Sequence, residues 1–300
     1  MRTTHFSPGL LERFERQGRG RGTGSEYDPW HQVRRAEPAS RGRSHLISWL
    51  LDRLHHFLSD NELVVFALTL MLGPEDLREQ FPLALESHPV ERMAYEPTGV
   101  PTWTPGTLEI ARELGIKHPV TRGQGKVADW VLTTDLVATL RMPSGKRSLV
   151  AIGVKQEGEL KNKRTLEKLR IEREYWVRQE VTWLLITPEM INREAAETIK
   201  ASMPWVLSAN ARPESLRSLL EGLVEELNGL TFTSAFNHLA LRLQVAGPEA
   251  QNLFWQGVWA GVIRLDLSVP LRPASKVKIL SAEAFREQNP VAMRRTAWHA

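Results

Sequence analysis

Between residues 130 and 155 the chain alternates twice, and this constrains the fold more than any other feature of the sequence. Leu132, Thr134, Leu136, Ala138 and Leu140 share one face of an extended segment; Thr133, Asp135, Val137 and Thr139 share the other. Pro143-Ser144-Gly145-Lys146 is turn chemistry. Residues 149–155 then alternate again, with Val150, Ile152 and Val154 on one side and Ala151, Gly153 and Lys155 on the other. A period of two cannot place an apolar stripe on a helix, so the segment predicts two strands joined by a turn. Each strand carries one ionisable residue, Asp135 and Lys155. Both are predicted on the side away from the more apolar face, where folding the strands together brings an acid and a base onto one surface.

The flanking segments supply the rest of a mixed α/β core. Residues 46–72 read as helical, and Ser59 with Glu62 three residues later forms a capping box before the apolar run LVVFALTLML (63–72). That run is half the roughly 20 residues a membrane span needs, so it predicts a buried helix and no membrane partner. Residues 79–85 suggest a short strand, which Pro82 confines to an edge. Residues 107–114 form a short helix closed by Gly115, 160–179 a charged helix with Leu166, Leu169 and Trp176 near one stripe, and 181–186 a buried strand. A further helix is predicted to start at Thr187-Pro188-Glu189. Helices at 214–227, 235–243 and 249–260 and a strand at 262–267 indicate a smaller, mainly helical C-terminal domain, winged-helix-like in outline. The expected organisation is a basic arm over 1–45, a catalytic domain over 46–200 and an interaction domain over 201–300.

An Asp and a Lys at one end of a mixed sheet are the parts of a metal-dependent phosphodiesterase site. The acid holds a hard cation, and the ammonium positions water or offsets phosphate charge. Such a cation wants a second carboxylate, and Glu62 in the first turn of the upstream helix is the candidate; the same residue is also explained by helix capping alone. The chain has no cysteine, which removes disulfides and thiolate chemistry and fits a reducing cytoplasm. No phosphate-cradling GxxxxGK[ST] loop is present. Residues 1–45 hold nine arginines against five acidic residues, which accounts for the whole net charge of +4. Arg19 and Arg21 in this segment, and Lys161, Lys163, Arg164 and Lys168 after the paired strands, are candidate DNA contacts. Each group is equally readable as a solvated surface.

Nine segments in order resemble the TnsA-type transposon endonuclease family: GRGRGTGSEYDPW (18–30), GRSH (42–45), LSDNEL (58–63), DLREQFPL (76–83), ELGIKHP (113–119), TTDLVA (133–138), GVK (153–155), KRTLEKLRIEREYW (163–176) and WLLIT (183–187). The resemblance implies a restriction-endonuclease-like domain that hydrolyses phosphodiester bonds at the 5′ ends of a transposon with Mg²⁺, for which Mn²⁺ can substitute. It implies Glu62 and Asp135 as metal ligands, the Val154 carbonyl as a further ligand, and Lys155 as the catalytic lysine. The implied partners are transposon-end DNA, an integrase-like transposase, and an ATPase regulator met by the C-terminal domain. The implied setting is the bacterial cytoplasm, on the nucleoid when DNA is bound. One position departs from the pattern: two residues before the lysine, nucleases of this class commonly carry Glu, Asp or Gln, and here stands Gly153. That departure keeps two other readings open, a catalytically degenerate adaptor between transposase and regulator, and a stand-alone restriction or repair nuclease.

Overall fold

The computed structural model describes residues 6–34, 37, 42–49, 53–95, 100–207 and 213–299. Residues 1–5, 35–36 and 38–41 of the expected arm, and 50–52 of the expected first helix, lie outside them. The chain divides into two compact units: residues 1–63, 74–188 and 296–300 form one, and 64–73 with 189–295 form the other.

In the first unit the elements run α1 (Pro8–Arg16), β1 (His45–Trp49), β2 (Arg53–Phe57), α2 (Asp60–Leu70, which passes into the second unit), β3 (Asp76–Pro82), β4 (His88–Pro89), β5 (Trp103–Thr104), α3 (Thr107–Glu113), β6 (Val120–Gly123), β7 (Lys126–Asp129), β8 (Thr133–Arg141), β9 (Arg147–Val154), α4 (Lys163–Val177) and β10 (Thr182–Ile186). The central sheet has the order β10-β9-β8-β3, with β9 and β10 parallel and the other pairs antiparallel. The mixed α/β fold is therefore the one the sequence predicts, and β3 is an edge strand ending on Pro82. The face carrying Phe81, Val137, Ala151, Trp183 and Leu185 is covered by Leu169, Ile171, Tyr175 and Trp176 of α4. The side of the sheet that alternation marks as the more polar is thus buried as well, and small Ala151 and Gly153 leave the room for it.

Three segments before residue 194 depart from the sequence reading. The first helix expected over 46–72 is helical only in α2. Before it, β1 and β2 pair as a hairpin in which Leu46 faces His56 and Ser48 faces Leu54. Arg53 ties this hairpin to the sheet edge through paired 2.8 Å bonds to Glu79, whose carboxylate also takes His55 Nδ1 at 3.1 Å. Burial works against that carboxylate, yet His55 and Arg53 hold it down to about 2. The basic arm, second, contains the ordered helix α1, whose Leu11 and Phe14 pack with Trp30 and Val131. Third, Pro188 opens only a single 3₁₀ turn, and the following helix starts at Arg193 behind Asn192, whose side chain accepts from the amides of Glu194 and Ala195.

The second unit is helical: α5 (Arg193–Leu207), α6 (Pro213–Leu220), α7 (Val224–Leu227), α8 (Phe232–Leu243), α9 (Gly247–Trp259) and α10 (Ala282–Glu287). Leu220, Leu227, Phe232, Leu239, Phe254, Trp255 and Ile263 are buried in it. The strand expected over 262–267 does not form among the described residues. Amides 262 and 263 bond to the Gly257 carbonyl and amide 265 to Ile263, while Asp266 N donates to the Lys278 carbonyl at 2.8 Å and Leu280 N to the Arg264 carbonyl at 2.7 Å, so the pairing is confined to the single bridge Leu265↔Ile279.

Candidate active site

The site forms where the β8–β9 ladder stops. Its pairs run from Arg141↔Arg147 to Leu136↔Ile152. The next inward amide of β9, Val154 N, donates instead to Asp135 Oδ2 at 2.6 Å. A side chain has replaced a main-chain acceptor, and the β8–β9 pairing ends here. Lys155, whose own amide continues the β9–β10 pairing by donating to the Ile186 carbonyl, returns its Nζ to the same carboxylate. The ammonium sits 2.7 Å from Asp135 Oδ2 and 2.8 Å from the Val154 carbonyl. The Lys155 side chain keeps 26% of its surface exposed, so the pair is reachable from solvent.

Glu62 reaches the same region from the start of α2. Its amide bonds to Ser59 Oγ at 3.2 Å, so Ser59 caps the helix as predicted, but the return half of the box differs: the carboxylate accepts from the Ser59 hydroxyl at 3.1 Å instead of from the Ser59 amide. The carboxylate does more than cap. Its Oε2 also accepts from Leu58 N and from Gln80 Nε2, each at 2.9 Å. Burial, and then the charge of Asp135, push the Glu62 carboxyl up to about 7 against the opposing pull of the Leu58 amide, Lys155 and Ser59. Lys155 is raised: burial opposes its charge, and Asp135, Glu172 and Glu62 more than offset that. Helix, strand end and ammonium therefore share one electrostatic site, although they are separated by up to 93 residues of chain.

Two further residues belong to it that sequence reasoning missed. Glu172 of α4 is buried, with Oε1 accepting from Thr134 Oγ1 at 2.9 Å and from Trp183 Nε1 at 3.2 Å. Burial and the Asp135 charge push its carboxyl up to about 7, although Lys155 pulls it down. That same Oε1 lies 3.5 Å from where a Cβ on Gly153 would stand. The space vacated by the expected acidic side chain thus faces a carboxylate delivered from another element. The signal was present: Glu172 falls on the Leu169–Trp176 stripe, a charged residue in an apolar row. Gln80 is the second. It is buried within β3 at φ +49, and the β3–β8 ladder skips the place where it stands opposite Asp135. This break also explains why Thr134 faces α4 together with Val137, where strict alternation puts Thr134 beside Leu136.

Among the described residues no three His, Cys, Asp or Glu groups form a ready-made metal cage. The donor chemistry nevertheless fits a hard divalent ion. Asp135, Glu62 and the Val154 carbonyl are all oxygen donors, and the mutual repulsion that raises Glu62 is relieved by a cation between the carboxylates. Two raised carboxyls also set a pH dependence. Each binds its proton more tightly folded than unfolded, so this contribution to stability is complete below about pH 4.5 and is lost as pH rises through about 7. The depressed Glu79 acts outside that window, its contribution being lost only below the ordinary carboxylate range. Burial lowers His31, His56, His88 and His118, which work the other way and add stability as pH rises toward about 6.5; the metal-free melting temperature is therefore expected to fall between about pH 6.5 and pH 8, and its rise on adding Mg²⁺ to be larger at the upper end, because ligation needs ionised carboxylates. A metal-free melting temperature that climbs across that interval contradicts this assignment.

The basic candidates separate by position. Lys161 and Lys163 are exposed, and Arg164 and Lys168 half-buried along α4. Lys168 is lowered by burial and then by the charges of Lys155 and Arg164, which places these three cations in one field. Arg21 is exposed. Arg19 is enclosed: it pairs with Glu37 at 2.6 Å, donates to the Trp30 carbonyl at 3.0 Å and lies 3.9 Å over the Phe14 ring.

Residues 76–188 match the family model described as TnsA-like endonuclease N terminal. The stretch includes the ladder end, Asp135, Lys155 and Glu172, and excludes Glu62. Over 218 residues, 72% of this chain and 68% of the relative, the sequence is 36% identical to the transposon Tn7 transposition protein TnsA of Escherichia coli. The chain belongs to the TnsA family. It is accordingly a DNA endonuclease, and the cluster at the end of the β8–β9 ladder is the candidate active site of this TnsA-family enzyme.

Proposed function

We propose that this protein is the endonuclease subunit of a transposase, hydrolysing the phosphodiester bond at the 5′ ends of a transposon during cut-and-paste transposition. The observation that carries the reading is the Asp135–Val154–Lys155 contact at the end of the β8–β9 ladder, with Glu62 in the same field. Asp135, Glu62 and the Val154 carbonyl would hold Mg²⁺, for which Mn²⁺ substitutes; a bound ion of this kind lowers the pKa of its water from about 15.7 toward neutrality. Asp135 fixes Lys155 and, through the Val154 amide, the strand end that bears the carbonyl. The Lys155 ammonium remains protonated beside these carboxylates, so it acts by orienting water and offsetting charge on the phosphate rather than as a base. Glu172 provides a carboxylate at the position Gly153 leaves without one. That argues for a working site over the degenerate adaptor that Gly153 otherwise favours.

Lys163, Arg164 and Lys168 lie on α4 and Lys161 in the 3₁₀ turn before it; these four and exposed Arg21 are proposed to contact DNA phosphates. Such contacts are sequence-neutral and salt-sensitive. Replacing any one of Lys161, Lys163 or Lys168 with Gln is expected to reduce the slope of log affinity against log salt by about 1. Arg19→Ala is expected to leave that slope unchanged and to cost about 3–5 kcal/mol of stability, because Glu37 is then left buried without its partner. Salt-titrated DNA binding and chemical denaturation read the two effects separately. The proposed partners are an integrase-like transposase that supplies recognition of the transposon ends and an ATPase regulator met by the C-terminal residues, in the bacterial cytoplasm on nucleoid DNA. No helix among the described residues is long and apolar enough to cross a membrane.

The test is reconstitution on a donor plasmid with the transposase encoded beside this protein. The expected result is one Mg²⁺-dependent nick at the 5′ end of each transposon terminus. Cutting of DNA that lacks transposon ends, with no transposase present, would favour the stand-alone nuclease instead. Intact assembly with no cut in Mg²⁺ or Mn²⁺ would favour the adaptor.

A further inference from the structure

We infer that Gln80 is a positioning residue of the active site, holding the Glu62 carboxylate for metal binding through its side-chain amide and through a left-handed backbone turn built into the edge strand. The inference rests on the reading of Glu62 as a metal ligand and adds the residue that aims it.

Three observations meet at this one position. The backbone of Gln80 adopts φ +49 inside a strand, a conformation L side chains rarely take. Such conformations cost free energy and persist where the surroundings over-determine them, most often beside functional sites. Here the surroundings do so on both sides. The Trp30 amide donates to the Gln80 carbonyl at 3.2 Å, and the Gln80 Nε2 donates to Glu62 Oε2 at 2.9 Å. Gln80 also stands opposite Asp135 in the β3–β8 register, between the pairs Glu79↔Leu136 and Phe81↔Thr134. The side chain is therefore directed from the position facing one proposed ligand to the carboxylate of the other.

The chemistry of the bond favours this role over simple packing. Glu62 accepts from three donors, the Leu58 amide, the Ser59 hydroxyl and the Gln80 amide. All three favour the ionised carboxylate and oppose the burial that works against it. Leu58 and Ser59 belong to the same helix start and move with Glu62. Gln80 is the donor that comes from the sheet, so it ties the carboxylate to the strand that bears Asp135. Supporting hydrogen bonds of this kind typically change metal affinity or activity by about 10–100-fold when removed.

The experiment uses the full-length protein and two readouts. Thermal melting is followed against Mn²⁺ concentration, and strand cleavage in the reconstituted reaction is followed against Mg²⁺ concentration. Gln80→Gly deletes the amide while suiting the left-handed backbone. Relief of the left-handed backbone offsets part of the lost packing and hydrogen bond, so its metal-free melting temperature is expected to fall modestly, and its half-saturating metal concentration to rise about 10–100-fold in both assays. Gln80→Asn keeps an amide and tolerates the same backbone, but is one methylene too short to reach Glu62. It is expected to shift the metal dependence in the same direction and serves if the glycine variant does not fold. A purely structural role would leave the metal dependence where it was whatever the change in melting temperature, and that result overturns the inference. Glu62→Gln separates the two levels. If Glu62→Gln loses metal-dependent stabilisation while Gln80→Gly and Gln80→Asn retain it at wild-type concentrations, Gln80 does not position the ligand. If Glu62→Gln itself responds to Mn²⁺ as the wild type does, the reading of Glu62 beneath the inference fails and the inference goes with it.

Discussion

Asp135→Asn is expected to lower strand cleavage by at least three orders of magnitude, about 4 kcal/mol in the barrier, while leaving the fold and assembly with the transposase in place. The carboxylate has two separable duties. One is structural: Oδ2 accepts from the Val154 amide and from Lys155 Nζ. An asparagine carbonyl can still accept from the amide, so the strand end stays where it is. The other duty is ionic, and asparagine cannot perform it. The negative charge that pairs with Lys155 and attracts a divalent ion is gone. Asp135→Ala removes both duties. It leaves the Val154 amide and the Lys155 ammonium without their acceptor and is expected to cost about 1–3 kcal/mol of stability besides the loss of cleavage. Denaturation curves and cleavage rates measured on both variants distinguish them. An Asp135→Asn enzyme that cuts within tenfold of the wild-type rate would remove Asp135 from the chemistry.

Gly153→Glu, which installs the kind of residue common at this position, is expected to damage the protein rather than improve it. A methyl group fits: the nearest atoms to an added Cβ are Glu172 Oε1 at 3.5 Å, Trp183 Cζ2 at 3.6 Å and Leu185 Cδ1 at 3.7 Å, all ordinary contacts. Gly153→Ala is therefore expected to be nearly neutral. Glutamate adds a longer chain and a second negative charge against the buried Glu172 carboxyl, which burial and Asp135 already push up to about 7. Overpacking and uncompensated charge together are expected to cost about 3 kcal/mol or more and to abolish cleavage. Removing the incumbent makes room, so Gly153→Glu combined with Glu172→Ala is expected to recover much of both. A single Gly153→Glu variant that is stable and cuts faster than the wild type would show that the position stands vacant, and that Glu172 does not fill its role.

The paired strands, the charged helix and the following strand were legible because each depends on local pattern: period two around Asp135 and Lys155, an apolar stripe through Leu169 and Trp176, and a capping box at Ser59 and Glu62. The acid–base meeting at the strand ends followed from that pattern together with a turn at Gly145. What stayed hidden depends on contacts between distant segments. Nothing local marks Arg19 as a buried partner of Glu37, because an arginine in a Gly-rich basic run looks the same whether it is solvated or enclosed. Gln80 gives no sign of its left-handed backbone, since glutamine has no preference for it; the conformation is imposed by Trp30 on one side and Glu62 on the other. The strands β1 and β2 read as helix because their apolar residues lead toward those of α2. The strand expected over 262–267 fails for the opposite reason: its alternation is real, but amides 262, 263 and 265 find acceptors within a few residues, which leaves one bridge to Ile279. Glu172 was the one missed site residue with a readable signal, a carboxylate in an apolar row of a helix facing a glycine.

Cleavage by this site requires Glu62 and Asp135 to converge on a single divalent ion beside Lys155. Anomalous diffraction from crystals of the full-length protein grown with Mn²⁺ tests this most directly. A peak is expected bonded to Asp135, Glu62 and the Val154 carbonyl, at the hard-cation distance of about 2.0–2.6 Å, with Lys155 Nζ drawn off Asp135 toward the place a phosphate would take. A well-ordered map with no peak between those carboxylates, or a peak coordinated elsewhere in the molecule, would contradict it.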